Sequence, residues 1–295
     1  MTKIAIVTDS TASIPEWLMA ELHIHCAAYY VHRGSEVLRD LVTIQRDEFL
    51  QWLATAKTLP TTACPGPGDY FEIYKRLADE DGVDEIVSIH ISSKTSGAYQ
   101  AASLAKSMLK ASLPQIRVEV VDSLNASLCH GWMVIEAARA ALAGKSLDSI
   151  VAQVRRMIPV TQMIQTADTL RYLYMGGRIG LAKWLAAEAL NVKPLIGVRD
   201  GVVVPLGKAR SRLQAYKIMA DLVEKAVGVG GKIKVAYVHA GAQLEVEKIK
   251  QMIEERLDVV ESFFAELSPA LAVHTGPGTA GLCYFPVTAE EDSDA

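Results

Sequence analysis

The chain has 295 residues, 50% of them hydrophobic and 22% charged, with a formal net charge of −4. That length supplies one large or two ordinary domains with ample core. The mild acidity gives nucleic-acid binding no bulk electrostatic support, and no apolar run approaches the roughly 18–20 residues of a transmembrane helix.

The opening "MTKIAIVTDS" enters a buried-strand pattern at once and ends in polar residues. It lacks the long apolar region and small-residue cleavage site of a signal peptide, so a soluble, cytoplasmic protein is expected. "IPEWLMAEL" predicts a helix with Pro15 near its first turn, "HCAAYYVH" a strand and "TIQRDEFLQWLATA" a helix. After the breaker-rich "TLPTTACPGPG" come a helix in "DYFEIYKRLADED", a strand in "EIVSIHIS", a helix in "GAYQAASLAKSML" and a strand in "IRVEVVDS". "LCHGWMVIEAARAALAG" predicts a helix closed by Gly144. This β/α rhythm argues for a mainly parallel sheet with helices on both faces.

The second half is less regular. A strand is expected in "VTQMIQTA", a short glycine-ended helix in "DTLRYLYMGG", and a mostly apolar helix in "GLAKWLAAEAL". "VKPLIGVRDGVVVPLGKA" predicts a hairpin around Asp200-Gly201. Helices follow in "LQAYKIMADLVEKA" and "EVEKIKQMIEERL", and strands in "KIKVAYVHA" and "LAVHTGPG". The expected architecture is two α/β domains. Residues 1–158 form the first, with a mainly parallel sheet and flanking helices. Residues 159–289 form the second, with a mixed sheet and helices, and 290–295, "EEDSDA", an acidic tail.

"VHTGPGTAG" sets Gly276, Gly278 and Gly281 at the G-x-G-x-x-G spacing of dinucleotide-binding loops. That fingerprint must leave a strand, open a helix and reach an acidic residue about 20 positions on. Too little chain follows Gly281 for that, so the glycines serve a turn or the close approach of a ligand beside His274. "AGKS" and "GGKI" fail as phosphate loops, because Arg139 and Ala226 stand where the first glycine belongs.

Three polar clusters fall where strands are expected to end, the usual place for ligands in open α/β sheets. They are Thr61 and Thr62 in "PTTACPGPG", Ser92, Ser93, Thr95 and Ser96 in "HISSKTSGAYQ", and His274 in "VHTGPG". Hydroxyls and backbone N–H groups at a helix start make an anion site; the same residues also serve as turn formers and N-caps. Around Ser96 both outer glycines of a G-x-S-x-G hydrolase elbow are absent, Lys94 and Ala98 standing in their places. Cys64 remains open as a nucleophile paired with His274, or as one of four scattered, reduced thiols with Cys26, Cys129 and Cys283. His23 and His25 alternate at strand spacing, which favours one sheet face over a metal site, and no metal is expected.

Taken together, several stretches of the chain resemble the DegV family of bacterial fatty-acid-binding proteins, which includes the FakB subunits of fatty acid kinase. They are "IAIVTDSTASIP", "YYVHRGSEVLRDLVTIQRDEF", "PTTACPGPGDY", "HISSKTSGAYQAA", "VVDS", "DTLRYLYMGGRIG", "NVKPLIGVRDGVVVPLGKARSR" and "HTGPG", in this order. Thr95 and Ala98 depart from the family's usual leucine and threonine, and Ala63-Cys64-Pro65 from its Ser-Gln-Pro. The resemblance implies two α/β domains, a buried acyl chain, and a carboxylate held by Thr62 and Ser93 with His274 nearby. Thr61, Ser92 and Ser96 are second choices. It implies a long-chain fatty acid as ligand, no cofactor and no catalytic residue of its own. A separate fatty acid kinase would meet Arg178 and Arg210 in "GGR" and "GKxR". Leu181, Trp184 and Leu185 are candidate lining for the acyl chain. The rival readings are an acyl hydrolase or transferase using Cys64 or Ser93, and a two-domain scaffold without a specific ligand.

Overall fold

The structure is a computed structural model and describes residues 3–183, 185 and 192–287. Trp184 and the 290–295 tail lie outside the described residues. The chain divides into two compact units that are not contiguous in sequence. The first holds Met1–Gln45, Pro60–Pro159 and Ser268–Ala270; the second holds Arg46–Leu59, Val160–Leu267 and Leu271–Ala295.

The first unit is built on β1 (Ile4–Asp9), β2 (His25–Ala27), β6 (Glu85–His90) and β7 (Arg117–Asp122), in the order β2-β1-β6-β7, every pair parallel. Side chains alternate across a strand, and both faces are used. Ala5, Val7, Ile86 and Val118 pack with Tyr70, Tyr74 and Leu77 of α3 (Pro67–Asp79) and with Ala101, Ala102, Ala105 and Leu109 of α4 (Ala98–Ser112). Thr8, on the opposite face from Val7, reaches His130 of α5 (Leu128–Leu142), with an Oγ1–Nε2 distance of 3.0 Å. The helix α6 (Leu147–Met157) packs on α5 and on β6 and β7. Each fully buried Leu, Ile or Val contributes about 1.5–3 kcal/mol, so this double cover stabilises the sheet. The unit also holds α1 (Glu16–Glu21) and a small antiparallel sheet, β4-β3-β5, of β3 (Tyr30–Arg33), β4 (Glu36–Arg39) and β5 (Thr61–Ala63).

The second unit holds α2 (Arg46–Thr55) and a six-stranded sheet. Its strands are β8 (Gln162–Thr166), β9 (Lys193–Arg199), β10 (Val202–Ala209), β11 (Lys232–His239), β12 (Asp258–Glu266) and β13 (Ala280–Pro286), ordered β10-β9-β8-β13-β11-β12. Only β11 and β12 pair in parallel. One face is covered by α8 (Arg212–Val227) and α9 (Gln243–Glu254) through Met219, Val223, Ile249 and Ile253. A second cluster gathers Leu170, Leu185, Ile196 and Val203 with Leu173 of α7 (Arg171–Met175) and Ala182 of a short 3-10 turn. The expected parallel first sheet and mixed second sheet are both found.

Local expectations fail in four places. "LAVHTGPG" is not a strand: Pro269–Thr275 is a helix, α10, and β13 begins only at Ala280. Pro269 sets φ for a first turn, and four apolar residues alone do not separate strand from helix. "HCAAYYVH" breaks into β2 and β3, which belong to different sheets. His23 has φ 52° and lies before β2, so it shares no strand face with His25. Leu181 is 67% exposed, whereas Leu185 is buried.

Candidate functional site

Two polar segments of the first unit leave strands and open helices. Thr61 and Thr62 lie in β5, paired with His32 and Val31 of β3; Thr61 is exposed and Thr62 half-buried. Cys64-Pro65-Gly66 then leads into α3, where Pro67 stands in the first turn and the Gly66 N–H donates to Asp69 Oδ2 at 2.7 Å. Ser92 to Gly97 runs from β6 into α4. The buried Ser92 donates its N–H to Asn125 O at 2.8 Å, and its Oγ accepts the Lys94 N–H at 3.2 Å. Ser93 is half-buried, and its N–H donates to Asp122 Oδ1 at 3.1 Å. The same carboxylate oxygen accepts the Leu124 N–H at 3.0 Å. Ser96 does not cap α4, because its hydroxyl lies 2.5 Å from that of Tyr29. Ser92 and Ser96 therefore brace the loop that presents Ser93.

The two segments meet at Cys64. A Cβ on Gly97 would lie 3.3 Å from its Sγ. Burial raises the thiol's pKa, hydrogen bonding to Ser96 and to the Gly97 backbone lowers it, and the net shift is upward. The starts of α3, with 13 residues, and α4, with 15, thus adjoin hydroxyl-bearing strand ends. Unpaired N–H groups and the macrodipole at such ends favour a negative charge.

Behind these loops lies a buried polar frame. Asp9 Oδ2 is 3.0 Å from His90 Nδ1 and accepts the Ile91 N–H at 3.3 Å; Oδ1 accepts from the Thr11 amide at 3.2 Å and from its hydroxyl. Burial raises the Asp9 carboxyl, but the His90 hydrogen bond and two histidine charges outweigh it, so the net shift is downward. His90 Nε2 is 2.7 Å from Ser88 Oγ, which also accepts from Tyr74 OH at 2.7 Å. Burial pushes His130 down to about 4. Through Ile91, this frame fixes the chain two residues before Ser93.

The second unit gathers His274 and Arg178. His274 lies in the last turn of α10, half-buried. A Cβ on Gly176 would overlap His274 Nδ1, and a Cβ on Gly276, at φ +79°, would overlap the Tyr172 ring. The glycines of "YMGGR" and "HTGPG" thus let these two segments lie against each other. Arg178 is exposed and donates to Gly176 O at 2.7 Å. Burial, then the Arg178 charge, push His274 down to about 4, so its imidazole is neutral at neutral pH. Gly278 turns the chain at φ +77°, and Gly281 already lies in β13, against Ile164 O. The loop therefore opens onto a strand instead of a helix, which removes the dinucleotide reading. Arg210 is exposed, its amide donating to Gln214 Oε1 at 2.8 Å. Thr61, Thr62, Ser92, Ser93 and Ser96 thus belong to the first unit, and His274, Arg178 and Arg210 to the second.

Sequence reading missed Asp122 and Asp9, and it gave Arg212, one of the basic residues of "GKARSR", no partner. The first two carry a faint signal as acids at the strand ends "VVDS" and "VTDS". Arg212 donates from Nη2 to both Asp168 Oδ2 and Gly278 O at 2.8 Å. Among the described residues no cluster of three or more His, Cys, Asp or Glu side chains is arranged to hold a metal ion, and no helix is long and apolar enough to cross a membrane.

The fold that carries these residues, a doubly covered parallel sheet and a mixed sheet, is found in known proteins. Residues 3–287 match the model of a family described as uncharacterised proteins of the DegV family. The chain belongs to the DegV family. It is 32% identical over 280 residues to a DegV domain-containing protein of Streptomyces coelicolor, covering 95% of this chain and 97% of that one. A solved DegV family protein of Thermus thermophilus, described by its fatty-acid binding, is similar at a TM-score of 0.90 and 31% identity, covering 97% of this chain and all of the other. DegV of Bacillus subtilis, described as a fatty acid binding protein, is similar at a TM-score of 0.85 and 27% identity, covering 97% of this chain and 100% of its own.

Proposed function

We propose that this protein is a cytoplasmic carrier that sequesters a long-chain fatty acid and presents its carboxylate to a separate fatty acid kinase, which forms the acyl phosphate. Thr62 and Ser93 receive the carboxylate, with Thr61, Ser92 and Ser96 in support and His274 as a third contributor. Arg178 and Arg210 meet the kinase. Expected limits of 1–158 and 159–289 for the two domains belong to the same proposal.

The observation that carries it is the contact of Cys64 with Gly97 and Ser96, which joins the two hydroxyl segments at the starts of α3 and α4. An anion there gains hydroxyl donors and two helix N-termini. The tail supplies most of the affinity: at about 0.8 kcal/mol per buried CH₂, roughly 14 methylenes contribute about 11 kcal/mol before ordering costs. The hydroxyls avoid the heavy cost of a buried carboxylate without partners. The hydrolase reading is weaker, because a nucleophilic cysteine needs a lowered pKa and the Cys64 thiol is shifted upward.

The test is mass spectrometry of the natively purified protein after denaturing extraction. About one equivalent of a non-covalent long-chain fatty acid is expected. Lipid-free, well-folded protein that also fails to bind added fatty acids would refute the carrier, and a stable thioester or ester would favour an enzyme.

A further inference from the structure

We propose that Arg212 is the positioning residue for His274, one guanidinium holding together the two chain segments that enclose the imidazole. It acts on the site proposed above through the backbone and touches no ligand in that role.

The two segments are residues 168–178 and 274–279. They meet twice, where the Gly176 backbone lies against His274 and where the Tyr172 ring lies against Gly276. Arg212 supplies bonds to both segments, since its Nη2 donates to Asp168 Oδ2 at the head of the first and to Gly278 O in the second, each at 2.8 Å. Nη1 reaches Tyr216 OH at 3.4 Å, and Lys193 Nζ donates to Asp168 Oδ1 at 2.6 Å. Tyr216 OH in turn donates to the Glu245 carboxylate. Arg212 opens α8, whose N-cap Ser211 accepts the Gln214 N–H at 3.2 Å, so the guanidinium is carried on a fixed element.

A plain surface ion pair would contribute little. Here the Arg212 side chain is only 22% exposed. Burial lowers its pKa, hydrogen bonds to Asp168 and Tyr216 raise it, and the net shift is upward. A planar fork can serve a carboxylate and a carbonyl in one fixed geometry, which an ammonium group on a flexible stem does less well. Arg178 is a charged group that acts on His274 directly; Asp168, Lys193 and Glu245 lie around Arg212 and its partners. Parting the two segments would admit water to the imidazole and remove the burial that keeps it neutral.

The experiment is an NMR pH titration of His274 in the delipidated full-length protein, its signal assigned with H274Q. In the wild type the midpoint is expected near 4. R212A should raise it by at least one unit towards the ordinary histidine value of about 6.5, R212K should fall between, and R210A should match the wild type. A wild-type midpoint in folded R212A overturns the proposal. Should R212A fail to fold, R212K and D168N carry the same comparison, and a wild-type midpoint in both overturns it. Since no lipid is needed, absence of fatty-acid binding would sink the carrier reading and leave this comparison intact.

Discussion

In the proposed carrier, a carboxylate that leaves water at Thr62 and Ser93 must find donors there, and each charge-assisted hydrogen bond is worth about 1.5–3 kcal/mol. Thr62→Val with Ser93→Ala is therefore expected to weaken fatty-acid binding at least about tenfold. Binding of the fatty alcohol of the same length should change much less, since the tail contacts remain. Paired isothermal titrations read the difference, and wild-type affinity for the acid in the double variant would move the site elsewhere. The choice of Thr62 and Ser93 was what the family resemblance implied; the hydroxyl clusters around them were legible, because such groups at expected strand ends stand out in the chain. The contacts of Asp122 and Arg212 were not, since each residue acts on a partner far along the sequence: Ser93 lies 29 positions from Asp122, and Gly278 lies 66 from Arg212. No local pattern encodes such a pairing.

Among the elements, the mostly buried strands β1, β6 and β11 were legible as short apolar runs bounded by polar or glycine-containing turns, and the edge strand β7 as the valine-rich "IRVEVVDS". β12 was not, because "DVVESFFAE" keeps neither a period of two nor an unbroken apolar run. Nor was α6, although Ser146 caps it by accepting the Ser149 N–H. The turn after α10 offers a test of how closely two elements are fitted. Gly276 needs a left-handed backbone and also has no room for a Cβ beside Tyr172, whereas Gly34, at φ +65°, faces open space. G34A should cost only the backbone strain, about 1 kcal/mol. G276A should cost clearly more, and Y172A should recover part of that excess. Thermal melts of the four proteins decide it; equal losses for G34A and G276A would show that the Tyr172 contact is not tight.

On the scale of the molecule, buried histidines couple stability to pH. His130 and His274 are each pushed from 6.5 to about 4. Between those values the unfolded chain holds a proton on each that the folded chain lacks, so stability rises with pH across this window and is lost on acidification. By pH 4 the loss is on the order of 3 kcal/mol per histidine. Asp9, shifted downward, adds loss of the same sign at still lower pH, as it is protonated through its folded value. Urea melts at pH 7.5, 6 and 5 should therefore show a falling midpoint, and a flat profile would mean that these rings are hydrated in solution. The order of the second sheet has a different consequence. β13, the last strand among the described residues, lies between β8 and β11, near the middle of that sheet. A ribosome that stalls before Ala280 would release a chain in which two long strand edges face each other unfilled. Such edges invite pairing with other chains, so an incomplete copy would be exposed to aggregation and to the proteases that clear it, and the sheet of the second unit can close only once β13 has been made.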